Sequence, residues 1–120
     1  MRQPIFCAAL AAIAAAVAVP SLAPASTRNS TLIGTDGPGF TITLTKGGKK
    51  VSKLKAGTYL FKIADKSSIH NFHLKGPGID KKTSVGAKTN VTWKLKLKAG
   101  KYTFVCDPHK SFMKGSFTVS

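Results

Sequence analysis

Beyond residue 30, apolar and polar positions alternate with a period of two in short runs, and no long segment carries a helical period. Val91, Trp93, Leu95 and Leu97 interleave with Thr92, Lys94, Lys96 and Lys98, which makes this the clearest strand, apolar on one face and wet on the other. Tyr59, Phe61 and Ile63 alternate in an earlier run, and Phe40, Ile42 and Leu44 do so among threonines. Phe117 and Val119 close the chain as a final strand. Turns rich in Gly, Pro and Lys separate the runs. The pattern predicts an all-β domain, an antiparallel Greek-key β-sandwich.

One stretch echoes another. The residues from Leu54 to Phe61, Leu-Lys-Ala-Gly-Thr-Tyr-Leu-Phe, recur from Leu97 to Phe104 as Leu-Lys-Ala-Gly-Lys-Tyr-Thr-Phe. Two copies are too few for a solenoid, which needs about three, so they read as equivalent corners of the sandwich. The second copy runs directly into Cys106. Tyr102, Phe104 and Cys106 share one strand face, so the cysteine points inward at the end of the sheet. Pro108 ends that strand because it cannot donate to the ladder. The loop then presents His109 and Met113 before Gly115 releases the chain into its last strand.

Residues 1–25 read as a cleaved export signal: Arg2 is the positive start, residues 5–19 are apolar and alanine-rich, and Ala23 and Ala25 supply the small cleavage-site residues. The apolar run is short for a membrane span, which needs about 20 residues; an uncleaved N-terminal anchor is the alternative. Residues 26–120 then form a single domain in a periplasmic or secreted protein. Cys7 leaves with the signal, and Cys106 stands alone in an oxidising compartment that offers it no partner. Metal ligation would tie up that thiolate. The remaining chain carries 18 basic residues, 17 of them lysine, against 4 acidic ones, a net charge near +14. It lacks the arginine forks and aromatic platforms that read bases, so nucleic acid is not the expected partner. An acidic protein or an anionic membrane surface is.

Cys106, His109 and Met113 put a thiolate, an imidazole and a thioether within eight residues, and His70 and His73 offer a second imidazole. Two histidines, a cysteine and a distant methionine make the soft trigonal-plus-axial set that holds a single copper ion in electron-transfer sites. Sulfur suits the cuprous ion and imidazole suits both oxidation states. His70 and His73 are an odd number of residues apart and face opposite sides of a regular strand, so only one can join. Zinc is the competing metal, but methionine is not an ordinary zinc ligand.

The order of these residues, His70-Asn71 upstream and Cys106, Pro108, His109 and Met113 in one loop, resembles the cupredoxins, the small blue-copper proteins of the plastocyanin, amicyanin and azurin kind. The resemblance implies that His70 rather than His73 is the ligand, beside Cys106, His109 and Met113, and that Asn71 pins the cysteine loop. It implies one mononuclear type 1 copper ion and a monomeric, non-enzymatic carrier of single electrons between redox partners. A second cysteine, needed for a binuclear copper domain, is absent from the loop. Gly76, Pro77 and Gly78, with Pro108 and Phe112, are expected to surround the edge of His109 as an apolar docking patch. The basic surface departs from the acidic docking surface of many plastocyanins, so the expected redox partner is an acidic one. A copper carrier or scavenger outside any redox chain uses the same ligands and is the alternative function.

Overall fold

Side chains of one parity along each strand meet across an apolar interior, and this closes the alternating runs into two packed sheets. The computed structural model describes residues 29–120; the expected signal, residues 1–25, lies outside them. One sheet holds β1 (Ser30–Asp36), β2 (Ile42–Lys46), β3 (Lys49–Lys50), β5 (Gly57–Asp65) and β8 (Asn90–Leu97), in the order β3-β2-β1-β5-β8. The other holds β4 (Lys53–Leu54), β6 (His73–Gly76), β7 (Ile79–Lys82), β9 (Gly100–Val105) and β10 (Lys114–Val119), in the order β4-β10-β9-β6-β7. Leu32, Leu44, Phe61 and Ile63 from the first sheet face Leu74, Tyr102, Phe104 and Phe117 from the second.

The expected sandwich is present, with a correction to its pairing. β1 lies parallel to β5, and β4 lies parallel to β10. After β3 the chain crosses to the second sheet, lays β4 beside β10, and returns as β5 running in the same direction as β1. A second correction concerns Phe40. It lies in the loop between β1 and β2 and is 57 % exposed, because the Gly-Pro-Gly run at residues 37–39 delays the strand until Ile42.

The echoed segments do form corresponding corners, the first leading from β4 across to β5 and the second from β8 across to β9. Tyr59 Oη donates to Lys55 O at 2.6 Å, and Tyr102 Oη donates to Lys98 O at 2.9 Å. Gly57 and Gly100, with φ of 154° and 146°, open β5 and β9. Both corners sit at one end of the sandwich. From there β5 and β9 run to the opposite end, carrying Asp65 and leading into Cys106.

Candidate metal centre

Two chain segments meet at that opposite end. The segment that leads into β6 supplies His70 and Asn71, and the loop between β9 and β10 supplies Cys106, His109 and Met113. The loop is closed by its own backbone. Cys106 N–H donates to Met113 O at 3.0 Å, His109 N–H to Cys106 O at 3.0 Å, and Met113 N–H to His109 O at 2.8 Å. Phe72 and Phe104, each two residues from a candidate ligand, stack at 5.5 Å with 6° between their planes and so hold the two segments together. Gly115 leaves room for the Phe104 ring, which a Cβ there would strike.

His70 Nδ1 lies 3.1 Å from His109 Nδ1, and Cys106 Sγ lies 3.6 and 3.5 Å from these two nitrogens. The three donor atoms fall within 4.8 Å of one another. His70 Nε2 is 3.0 Å from Gly39 O. A carbonyl can only accept, so Nε2 carries the ring proton and the Nδ1 lone pair is left facing the other donors. His70 and Cys106 are fully buried and Met113 is 1 % exposed, yet neither Cys106 nor Met113 belongs to the contiguous apolar core. Burial pushes the Cys106 thiol above its usual range, against the pull of the backbone N–H groups of Asn71 and His109. A bound cation would reverse that balance. Two imidazoles and a thiol, with no carboxylate among them, fit a single type 1 copper site.

Asn71 pins the cysteine loop, as expected. Its Oδ1 accepts from Asp107 N–H at 2.7 Å, and its Nδ2 donates to Asp107 Oδ2 at 2.7 Å and to Thr83 O at 3.3 Å. His73 does not join the cluster, but strand parity is not the cause, because β6 begins only at His73 and His70 precedes it. Instead His73 is buried between two acids, with Nδ1 2.8 Å from Asp107 Oδ1 and Nε2 2.5 Å from Asp80 Oδ1. Burial pushes the Asp107 carboxyl up, but the bonds from His73 and Asn71 outweigh it and hold the group below the usual carboxylate range. The His73 bond does the same for the exposed Asp80. Sequence reasoning missed both acids. An Asp directly after the proposed ligand Cys106, with a spare histidine upstream, was the available signal.

A second acid pair lies at the same end. Asp36 and Asp65 are register partners at the ends of parallel β1 and β5. Asp65 accepts from Ser67 N–H at 3.2 Å and from Thr83 Oγ1 at 3.3 Å, whereas no donor reaches either oxygen of fully buried Asp36. Burial, and then the neighbouring Asp65 carboxyl, push the Asp36 pKa up to about 8. A retained proton gives Asp36 an O–H to donate to Asp65.

His109 alone of the cluster reaches the surface, its ring between Phe40 and Phe112 at centroid distances of 5.1 and 5.5 Å. Phe112 is 59 % exposed, so the two rings form an apolar collar at the histidine edge. The expected neighbours Gly76, Pro77 and Gly78 are not there. They form the β6–β7 turn at the far end, where a Cβ on Gly100 would meet Pro77 Cγ at 2.6 Å. β6 runs away from the site from His73 to Gly76, so the turn that follows it lies at the far end.

A β-sandwich with two imidazoles and a thiol gathered at one end defines a small domain built around one soft metal ion. The chain belongs to the cupredoxin-like domain family, whose family model matches residues 8–119. No curated protein matches it in sequence. Among solved structures it is similar to the copper protein rusticyanin, with 17 % identity, a TM-score of 0.56, and 75 % of this chain and 76 % of that one covered. Rusticyanin from Thiobacillus ferrooxidans gives 20 %, 0.52, 75 % and 76 %. Dithionite-reduced auracyanin from the photosynthetic bacterium Roseiflexus castenholzii gives 17 %, 0.53, 77 % and 98 %. At these identities the likeness is one of fold.

Proposed function

We propose that this protein carries single electrons between redox partners through one type 1 copper ion, held by His70, Cys106 and His109 with Met113 as the weak axial group. The observation that carries the reading is the asymmetry of exposure: three of the four side chains are at most 1 % exposed, and His109 alone presents an edge, between Phe40 and Phe112. Copper, when bound, supplies the one-electron chemistry. The chain's own residues hold the donors in place, exclude water, and give a partner an apolar ring edge to meet. The Gly39 carbonyl orients His70, and the Asn71–Asp107 pair fixes the loop that carries Cys106 and His109. Little can relax at so constrained a site when the charge on the metal changes.

Carriage rather than catalysis is the proposed role. Metal delivery is less well served, since handing over an ion requires ligands that can leave, and three of these are buried. Export through residues 1–25 and an acidic redox partner complete the proposal. The test is the visible spectrum and reduction potential of the copper-loaded protein. Wild type should show an intense thiolate-to-copper band that Cys106→Ser abolishes, and Met113→Leu should keep the band and raise the potential. Stoichiometric zinc binding with no coloured copper form would sink the assignment; colour without reversible reduction would favour the copper carrier.

A further inference from the structure

Lysines lie at both ends of the sandwich, with Lys66, Lys82, Lys88, Lys110 and Lys114 at the metal end, but the acids are not spread evenly, so the two ends differ in net charge. The end opposite the metal centre gathers Lys46, Lys49 and Lys50 from the β2–β3 hairpin, Lys53 and Lys55 from the crossover, and Lys101 from the start of β9. No acid lies there. Asp36, Asp65 and Asp107 are all at the metal end, and Asp80 is on β7 beside Lys75 and bonded to His73. In the middle of the basic end is an open cavity of about 530 Å³ lined by Lys46 from one sheet, Lys53 and Lys55 from the other side, Ser30 and Tyr59.

We propose that this basic end docks on an anionic lipid bilayer surface. Flexible ammonium groups ringing an open cavity suit phosphate headgroups, which need charge rather than a fixed fork of donors. Nucleic acid is disfavoured because the described residues hold no arginine and this end exposes no aromatic ring for a base to stack on; the exposed large apolar residues are Ile33, Phe40, Ile69, Val85 and Phe112. The same absence makes the contact peripheral rather than inserted. The path of the chain agrees with a bilayer at this end. β1 begins here at Ser30, so the apolar run 5–19, where it is retained as the alternative anchor rather than cleaved, joins the domain at the basic end. Docked this way, the molecule turns the His109 edge outward.

The proposal does not depend on the redox reading, so the test uses both copper-loaded and zinc-loaded protein. It compares the full chain with a chain starting at residue 26, which keeps every strand from Ser30 to Val119. Flotation with phosphatidylglycerol–phosphatidylcholine vesicles should recover both chains at low salt. Pure phosphatidylcholine should not recover the shorter one. Each lysine near the surface contributes about fivefold in partitioning, so Lys49→Gln, Lys50→Gln and Lys53→Gln together should weaken binding on the order of 100-fold. Lys62→Gln, Lys94→Gln and Lys96→Gln, on the outer face of the first sheet, should weaken it far less. An unchanged visible band in each variant checks the fold. Equal losses from both sets, equal binding of the shorter chain to neutral and anionic vesicles, or capture of the shorter chain by a soluble polyanion with no vesicle binding would overturn the proposal.

Discussion

Asp36 keeps its proton up to about pH 8, against an ordinary value of 3.8. Between those values the folded chain holds a proton that the unfolded chain has released, so stability is greatest on the acid side and falls as pH rises through the window. Asp36→Asn keeps the shape and cannot ionise. Thermal melts should show the variant gaining on wild type from about pH 4 to about pH 8, by at most ~1.4 kcal/mol per pH unit. Parallel pH profiles for the two proteins would show that Asp36 is not the group responsible. His73 offers a second test. His73→Leu removes both of its acid bonds and leaves Asp107 to Asn71 alone; the coloured band should survive while chelator competition shows copper affinity down by about 10- to 100-fold. His73→Gln, which can still donate to one acid, should recover part of the loss, and His70→Ala should lose the band. Cys106, His109 and Met113 stood out as candidate ligands because they fall within eight residues of one another, whereas His70, far upstream, was singled out only through the resemblance. Asp36 was not legible: an Asp before Gly-Pro-Gly reads as a turn former, and its burial depends on β5 arriving from 29 residues away to pair with it in register.

Strands were legible wherever one face is apolar and the other wet, as in β5, β8 and β9. Direction was not, because alternation gives a strand's faces and says nothing about which neighbour it joins, so the parallel pairs went unseen. The repeated corners were the exception, since an eight-residue echo at the start of two strands points to one local structure used twice. Their tyrosines differ in what they hold. Tyr59 Oη makes one bond, to Lys55 O, while Tyr102 Oη also accepts from Lys98 N–H at 3.0 Å and its ring is fully buried against Phe117. Urea unfolding should therefore show Tyr59→Phe costing about 1 kcal/mol and Tyr102→Phe about 2 kcal/mol. Gly57 of the first corner pairs with Leu97 of the second, and Leu54 and Gly100 both pair with Val119, so the corners are close enough to couple and the double variant should depart from the sum of the single costs by about 0.5 kcal/mol or more. A double variant no worse than Tyr102→Phe would mean that the two corners act as one unit.

At the scale of the whole molecule, net charge misleads about docking. β5 has nine residues, and at 3.3 Å per residue the two ends lie roughly 30 Å apart. Salt at 0.15 M screens charge over about 8 Å, so a partner docking at His109 would feel Lys110 and Lys114 rather than the basic end. Lys75, although only two residues after His73, sits opposite Thr103 within the sheet. Stopped-flow electron exchange with an acidic partner should slow with salt. Lys110→Glu with Lys114→Glu should lower the low-salt rate, while Lys49→Glu with Lys50→Glu should leave it almost unchanged. Equal effects would mean that the partner approaches from another side. The same uneven distribution of acids should orient the protein near a charged solid, because the metal end mixes acids with its lysines and the opposite end carries lysines without acids. On a negatively charged electrode the acid-free end should land first and hold the proposed copper site a molecule's length from the conductor, so current should be slow although adsorption is strong. A hydrophobic monolayer should meet Phe40 and Phe112 instead, bind the protein weakly, and exchange electrons with the copper-loaded protein fast.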